Sequence, residues 1–366
     1  VYLVAGTSEG RATINDAARF VDDSWRASGA LVLQVASARD LDGDGRADFV
    51  IAAMTDAALD VYLVYGGAEP FTGTLKLTDL VEGGAAARFS IALASAQQAG
   101  RAALGVPDVT GDGRDDLVLA VPGFANGAGA LYVIPGDPVR YSGTLALPAP
   151  VAPLPRPVHA AIAGAAVNDF LGIELAAADL DGDGVGDLFV TSGGDAQVFY
   201  GPIEGVLSPS DASAHTDLGH VTSLAAADLD GDQDAELVVI SSGGGYLFRG
   251  GPSRRAGALL ASGADLQLGT STNSEVRVGG DLDGDGHPDL VITAFRAAVG
   301  IVAGPIAQTG FLSLDDGSLR WTLSAPGPSE ESFDVCLGDF NGDGFDDVAV
   351  AAVGSTFGSD PGAVQI

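Results

Sequence analysis

The stretch DLDGDGRAD, residues 40–48, sets four carboxylates within nine positions. Like charges held this close repel one another, and a cation among them turns repulsion into attraction. The pattern returns as DVTGDGRDD from Asp108, DLDGDGVGD from Asp179, DLDGDQDAE from Asp228, DLDGDGHPD from Asp281 and DFNGDGFDD from Asp339. A recurrence of roughly 60 residues is the signature of a repeat architecture.

The chemistry such a loop can do is cation binding through oxygen. Positions 1, 3 and 5 supply Asp40, Asp42 and Asp44; Asp108, Thr110 and Asp112; Asp179, Asp181 and Asp183; Asp228, Asp230 and Asp232; Asp281, Asp283 and Asp285; and Asp339, Asn341 and Asp343. Alternate residues of a tight loop turn three side chains toward one point. The carbonyl at position 7 adds a backbone oxygen from Arg46, Arg114, Val185, Asp234, His287 or Phe345. Position 9 closes the shell with Asp48, Asp116, Asp187, Glu236, Asp289 or Asp347. Hard divalent cations take six to eight oxygens, and an oxygen-only set favours calcium over zinc or copper. Up to six calcium ions are expected. The site at residues 228–236 is expected to be the weakest or empty, because Gln233 stands where the other loops have a glycine for a left-handed turn.

Two other loop types share this pattern. An Asp-Gly turn without metal is common in hairpins, but six copies in one context argue against it. An EF-hand needs a Glu at position 12 and flanking helices. Position 12 is instead Ile51, Leu119, Val190, Val239, Ile292 and Val350.

These loops need elements to position them. Before most of them runs a segment ending in small residues, such as Leu175-Ala176-Ala177-Ala178 or Leu224-Ala225-Ala226-Ala227. After them comes a β-branched apolar run, such as Phe49-Val50-Ile51, Leu117-Val118-Leu119 or Leu237-Val238-Val239-Ile240. A third run ends in Gly: VYLVYGG from Val61, ALYVIPG from Ala130, VFYG from Val198, YLFRGG from Tyr246 and VGIVAG from Val299. A weaker fourth run starts with Gly, as in Gly73-Thr74-Leu75, Gly143-Thr144-Leu145 and Gly257-Ala258-Leu259. Short apolar runs bounded by turn residues read as buried strands. The fold class expected is all-β, a β-propeller of four-stranded blades, with the metal loop joining the first strand to the second.

The motifs resemble the FG-GAP repeats of the integrin α-subunit propeller. The nearest copy runs from Phe89-Ser90-Ile91 through VPDVTGDGRDDLVLAVPG, with Ala120-Val121-Pro122-Gly123 at the "GAP" place; elsewhere the flanks have drifted, as at Thr191-Ser192-Gly193-Gly194. The resemblance implies calcium between the first two strands of each blade, usually seven blades, and a secreted or surface protein.

On this reading residues 1–29 are a partial blade (strands three and four). Blades follow at 30–83, 84–150, 151–210, 211–262 and 263–324, with an incomplete one at 325–366. A chain continuing past both ends would give seven blades. In the six-blade alternative the N-terminal hairpin completes the last blade, and a surplus third strand is left for self-association.

Bulk composition excludes several classes. The formal net charge of −32 argues against nucleic acid and anionic membrane surfaces as partners. No apolar run approaches the ~18 residues a span needs, so membrane insertion is not expected. The single Cys336 rules out an internal disulfide framework and reads as a buried apolar thiol. Gly6-Thr7-Ser8-Glu9-Gly10 matches G-x-S-x-G, but no helix signal follows it. The four His show no metal spacing, and Pro148–Val158 reads as an extended connection. No convergent acid, base and nucleophile appear, so an enzyme is not expected. The function expected is an extracellular or cell-surface, calcium-stabilised adhesion or protein-binding module. A lectin, for which only Trp25 and Trp321 are available with a few Tyr, is one alternative, and a structural subunit of a surface assembly is the other. The partner is then a protein or glycan ligand at the cell surface.

Overall fold

A computed structural model describes residues 2–3, 18–22, 31–55, 58–93, 103–270, 274–293, 298–313, 321–324, 330–339, 343–354 and 363–365. Position 3 of the sixth loop, Asn341, lies outside them, as do the G-x-S-x-G match and Trp25. The chain divides into two compact units. One holds residues 1–177, 185–193 and 197–213; the other holds 178–184, 194–196 and 214–366.

The chain is all-β, built from repeated antiparallel sheets. In the first unit Leu31–Arg39, Asp48–Met54 and Ala58–Val64 pair in sequence order, and Ala86–Ala92 follows as the fourth strand. The next sheet repeats the order with Ala103–Val106, Asp116–Val121, Ala130–Ile134 and Ala160–Ala163. The second unit does the same with Val221–Ala227, Glu236–Ser241, Gly244–Phe248 and Leu266–Leu268. It does so again with Glu275–Gly280, Asp289–Thr293, Ala298–Val302 and Trp321–Ser324. Glu330–Gly338, Asp347–Gly354 and Ala363–Gln365 pair as a further sheet of three described strands.

The second strand of a sheet is its most apolar element. Every residue of Asp116–Val121, Glu236–Ser241 and Asp289–Thr293 is buried. Burial on both faces explains why these strands read as continuous apolar runs, without alternation. Within the first unit, Val50, Leu63 and Phe89 pack against Leu117, Leu119 and Tyr132 of the next sheet. In the second unit Val238, Ile240 and Leu247 pack on Leu290 and Ile292. Sheets thus stack face to face, and the loops ending at Asp116, Glu236 and Asp289 each lead into a strand covered on both faces.

The strand count per sheet differs from the sequence expectation. The Gly-Thr-Leu runs are not fourth strands of their own sheets. Thr74–Lys76 pairs in parallel with Ala18–Val21 of the sheet before, and Gly143–Leu147 pairs in parallel with Ala86–Ala92. Gly205–Leu207, Gly257–Leu260 and Gly310–Leu312 likewise join Ala160–Ala163, Ala214–Asp217 and Leu266–Leu268. Each such sheet gains a parallel strand at its outer edge, lent by the repeat that follows; it is the fifth in four of these sheets and the third described strand in the one that holds Ala18–Val21. The physical reason is edge protection: an unpaired fourth strand would present a row of free N–H and C=O groups. A short helix, Leu77–Glu82, follows the first lent strand and buries Leu77 and Val81, four apart, on one face.

Cys336 corrects another expectation. It lies on Glu330–Gly338 but is exposed, while its neighbour Val335 is buried, as the period-two alternation of a strand requires. No helix of the described residues is long and apolar enough to cross a membrane.

Candidate metal centre

Each acidic loop is first held by its own backbone. The position-1 carboxylate caps the turn: Asp40 accepts the N–H groups of Asp44 and Gly45 at 3.0 and 2.8 Å. Asp108 accepts those of Gly111, Asp112 and Gly113 at 2.6–3.0 Å. Asp281 does the same for Gly284, Asp285 and Gly286 at 2.7–3.1 Å, and Asp339 for Asp343 and Gly344 at 3.1 and 2.9 Å. Position 3 reaches the N–H of position 5, as Asp42 Oδ1 does to Asp44 at 3.1 Å. Position 5 reaches the N–H of position 7, as Asp44 Oδ1 does to Arg46 and Asp285 Oδ1 to His287, both at 2.9 Å. These bonds curl the loop and draw the carboxylates inward.

The fourth loop folds the same way despite its substitution. Gln233 adopts φ 81°, the left-handed turn that Gly45 makes at 83°. Its N–H reaches Asp228 Oδ2 at 3.0 Å, matching the Gly45 bond to Asp40.

Position 9 does more than the loop chemistry asks. Asp48 is buried; its Oδ2 accepts the Leu41 N–H at 3.0 Å and its Oδ1 the Gly66 N–H at 2.7 Å. Asp116 takes Val109 and Thr110 at 2.9 Å and Gly136 at 3.1 Å. Asp289 takes Leu282 at 2.8 Å and Gly304 at 2.9 Å, and Asp187 takes Gly201 at 2.8 Å. One carboxylate therefore ties the loop to the glycine that ends the third strand. That glycine is obligatory on steric grounds: a Cβ on Gly66 would lie 2.6 Å from the Ala47 carbonyl oxygen, and one on Gly136 2.4 Å from that of Asp115. In the fourth loop Glu236 Oε2 accepts the Leu229 N–H at 2.6 Å. Its buried Oε1 makes no well-formed hydrogen bond among the described residues, while the Gly250 N–H acts on the carboxyl to lower its pKa.

Burial sets the electrostatics of this position. Removal from water pushes the Asp48 carboxyl up to about 6, with the Gly66 N–H opposing and Asp42 reinforcing the shift. The same desolvation pushes Asp116 and Glu236 up to about 7 and raises Asp289.

Neighbouring loops are bonded to one another. In the first unit the Leu41 carbonyl accepts the Asp137 N–H at 3.0 Å, and Val109 accepts Ile203 at 2.8 Å. In the second, the Asp179 carbonyl accepts Ala235 at 2.8 Å, Leu229 accepts Ile306 at 2.6 Å and Asp281 accepts Asp346 at 3.0 Å. Within each unit these loops are thus bonded to the repeat that follows, either to its acidic loop or to the turn after its third strand.

Residues 179–239, 228–292 and 281–350 match the FG-GAP-like repeat, and residues 99–134 match the FG-GAP repeat. The chain carries FG-GAP repeats. No curated protein matches it. Among solved structures it is similar to the biofilm matrix protein Bap1 of V. cholerae, at 16% identity and TM-score 0.38, over 83% of this chain and 41% of that one. It is similar to the BP39L lectin of Burkholderia pseudomallei at 17% identity and TM-score 0.44, over 91% and 83% of the two chains. The WD40 domain of Toxoplasma gondii coronin matches at 12% identity and TM-score 0.49, over 88% and 64%. The chain thus spans about two fifths of the length of the Bap1 chain.

The FG-GAP loops bring some of the expected ligands together, three carboxylates to a loop. Oxygens of Asp40, Asp42 and Asp48 lie within 4.8 Å of one another, as do those of Asp108, Asp112 and Asp116, of Asp228, Asp230 and Glu236, and of Asp281, Asp283 and Asp285. The division between units runs through the third loop, with Asp179, Asp181 and Asp183 in one and Val185 and Asp187 in the other. The donors are all oxygen and mostly anionic; a carboxylate oxygen bonded to one N–H keeps a second lone pair, whereas Asp108 Oδ1, Asp281 Oδ1 and Asp116 Oδ2 each accept two. This set fits a hard divalent cation such as calcium. The residues that would hold it are the carboxylates at positions 1, 3, 5 and 9.

Sequence reasoning missed the arginines at the FG-GAP loops. Arg140 donates to Asp42 and, at 3.0 Å, to Asp44. Arg254 donates to Asp181 and, at 2.8 Å, to Asp183. Arg249 donates to Asp230. The available signal was a guanidinium in the turn after the third strand, in GDPVR and GPSRR, of a chain with only 17 basic residues.

Proposed function

We propose that this chain is an extracellular, calcium-stabilised β-propeller whose blades are the repeated sheets, and that it works as a non-catalytic adhesion or binding module for a protein or glycan ligand. The observation that carries the reading is the recurrence of FG-GAP loops whose carboxylates gather where a cation could be held. Ions held there would stiffen one end of the sheets and fix the turns that a partner meets. Weak loops of this kind fill at calcium on the order of 10⁻⁴–10⁻³ M, an extracellular level. The carboxylates that could do acid–base work are committed to loop N–H groups, which supports binding over catalysis.

The test is thermal unfolding in EDTA and after calcium is restored, with elemental analysis of the protein. A ligand bound only by the native state raises its stability by mass action, so chelation is expected to lower the melting temperature and calcium to restore it. An unchanged melting temperature with no metal bound would end the calcium reading. A glycan array and a pull-down from surface extracts, both run with and without calcium, then separate a sugar ligand from a protein one.

A further inference from the structure

Two arginines in different units make the same contact. Arg140 Nε donates to Asp42 Oδ2 and its Nη2 to Asp44 Oδ2 at 3.0 Å. Arg254 Nε donates to Asp181 Oδ2 and its Nη2 to Asp183 Oδ2 at 2.8 Å. In both loops the bridged residues are positions 3 and 5. Both arginines stand four residues after the glycine that ends a third strand, Gly136 or Gly250. Arg140 is further fixed by the Gly66 carbonyl at 3.2 Å and by the Tyr65 ring, 4.9 Å below its guanidinium.

The bridged oxygens are those a cation would need. Asp42 Oδ1 and Asp44 Oδ1 already accept loop N–H groups, at 3.1 and 2.9 Å, and Arg140 takes the other oxygen of each. Among the described residues no guanidinium bridges positions 3 and 5 of the second loop, where Arg39 pairs instead with Asp115 at position 8, at 2.8 Å. Its following turn is Gly201-Pro202-Ile203-Glu204-Gly205, with glycine at the fourth place after Gly201 and an acid beside it. Arg114, within the second loop, comes no nearer than 3.9 Å to Asp112. The fourth loop has a variant arrangement: Gln308 stands four residues after Gly304, and Arg249 reaches Asp230 while donating to the Ile306 and Gln308 carbonyls at 2.9 Å.

We infer that Arg140 and Arg254 are resident counter-cations that compete with the divalent ion for positions 3 and 5, so that the array is graded into guanidinium-clamped loops and an open one at Asp108–Asp116. This rests on the calcium reading above. A guanidinium bridging two carboxylates makes charge-assisted bonds that an incoming ion must displace. The open loop fills first as calcium rises, and the clamped loops fill at higher concentrations. In the absence of calcium the clamp holds the loop against its own repulsion.

The experiment is calorimetric titration with calcium chloride of the whole chain and of Arg140→Gln, Arg254→Gln and Arg140→Lys, with melting temperatures in EDTA and at saturating calcium. Wild type is expected to show at least two affinity classes. Arg140→Gln is expected to tighten one weak site by about tenfold, equivalent to 1.4 kcal/mol, to melt lower than wild type in EDTA, and to lose that deficit in calcium. Arg140→Lys, with one ammonium in place of a fork, is expected to fall between. A variant whose calcium affinity is unchanged or weaker, or whose melting deficit is the same with and without calcium, makes Arg140 a structural tie and overturns the inference. Wild-type protein that takes up no calcium overturns the calcium reading itself, and the inference with it.

Discussion

The N–H of Gly66 donates to Asp48 Oδ1 at 2.7 Å, joining the end of a third strand to the last residue of the acidic loop 18 positions earlier. The partner oxygen takes Leu41, so a single buried side chain closes the loop and docks it on its sheet. The same brace recurs at Asp116 with Gly136 and at Asp289 with Gly304. Position 9 therefore has a folding role that any metal would share.

Asp116 gives the sharpest test of that role. Asp116→Ala strands the N–H groups of Val109, Thr110 and Gly136. With buried unsatisfied donors at about 1–3 kcal/mol each, the loss expected is roughly 3–5 kcal/mol in chelator. Asp116→Asn keeps one acceptor oxygen and removes a buried charge, so it is expected to lose less. Urea unfolding of the three proteins in EDTA checks the order.

Two glycines of the same turn should respond differently. A Cβ on Gly136 meets the Asp115 carbonyl at 2.4 Å and the Leu41 carbonyl at 2.9 Å, both backbone atoms of packed loops. Gly143 has φ 71° and open space around it. Gly143→Ala is expected to cost about 1 kcal/mol of left-handed strain, whereas Gly136→Ala is expected to cost roughly 2–3 kcal/mol by overpacking. Equal losses would mean that the loop backbone yields.

The acidic loops were legible because their chemistry is local: ligand spacing, turn glycine and the apolar run all fall within about a dozen residues. The second strands were legible because burial on both faces leaves a run such as Leu237–Ile240 with no polar break. The lent strands were not. Thr74–Lys76 looks like a fourth strand of its own repeat, and only its register against Arg19–Val21 shows otherwise. The true fourth strands, such as Ala160–Ala163 and Ala214–Asp217, are short and small or polar, so their pattern is faint. The Arg140 clamp was hidden for a different reason: 98 residues separate it from Asp42, and no spacing rule spans neighbouring repeats.

The fourth loop keeps its shape at the expense of Gln233, held at φ 81°. A side chain in the left-handed region costs about 1–2 kcal/mol, and glycine there gives back part of that as unfolded-state entropy. Gln233→Gly is expected to raise the free energy of unfolding by a net ~0.5–1 kcal/mol, read as a higher denaturant midpoint, and to strengthen calcium binding at this loop. A fall in stability would show that the Gln233 side chain contributes contacts of its own.

Acidity should act on the chelated and the calcium-loaded protein in opposite senses. Burial holds Asp48 near 6 and Asp116 and Glu236 near 7, against ordinary values of 3.8 and 4.5. A carboxyl with a raised folded pKa binds its proton more tightly in the native state than in the unfolded one. The stability it lends is complete below the unfolded value and disappears as pH climbs through the folded one. In EDTA the melting temperature is therefore expected to fall between about pH 4 and about pH 7, as these carboxylates ionise in their buried sites. Calcium reverses the linkage, because it binds the deprotonated ligands and releases their protons. At saturating calcium the curve is expected to flatten or rise over the same interval, and the gap between the two curves to widen with pH. Parallel curves would show that the position-9 carboxylates titrate without regard to the ion.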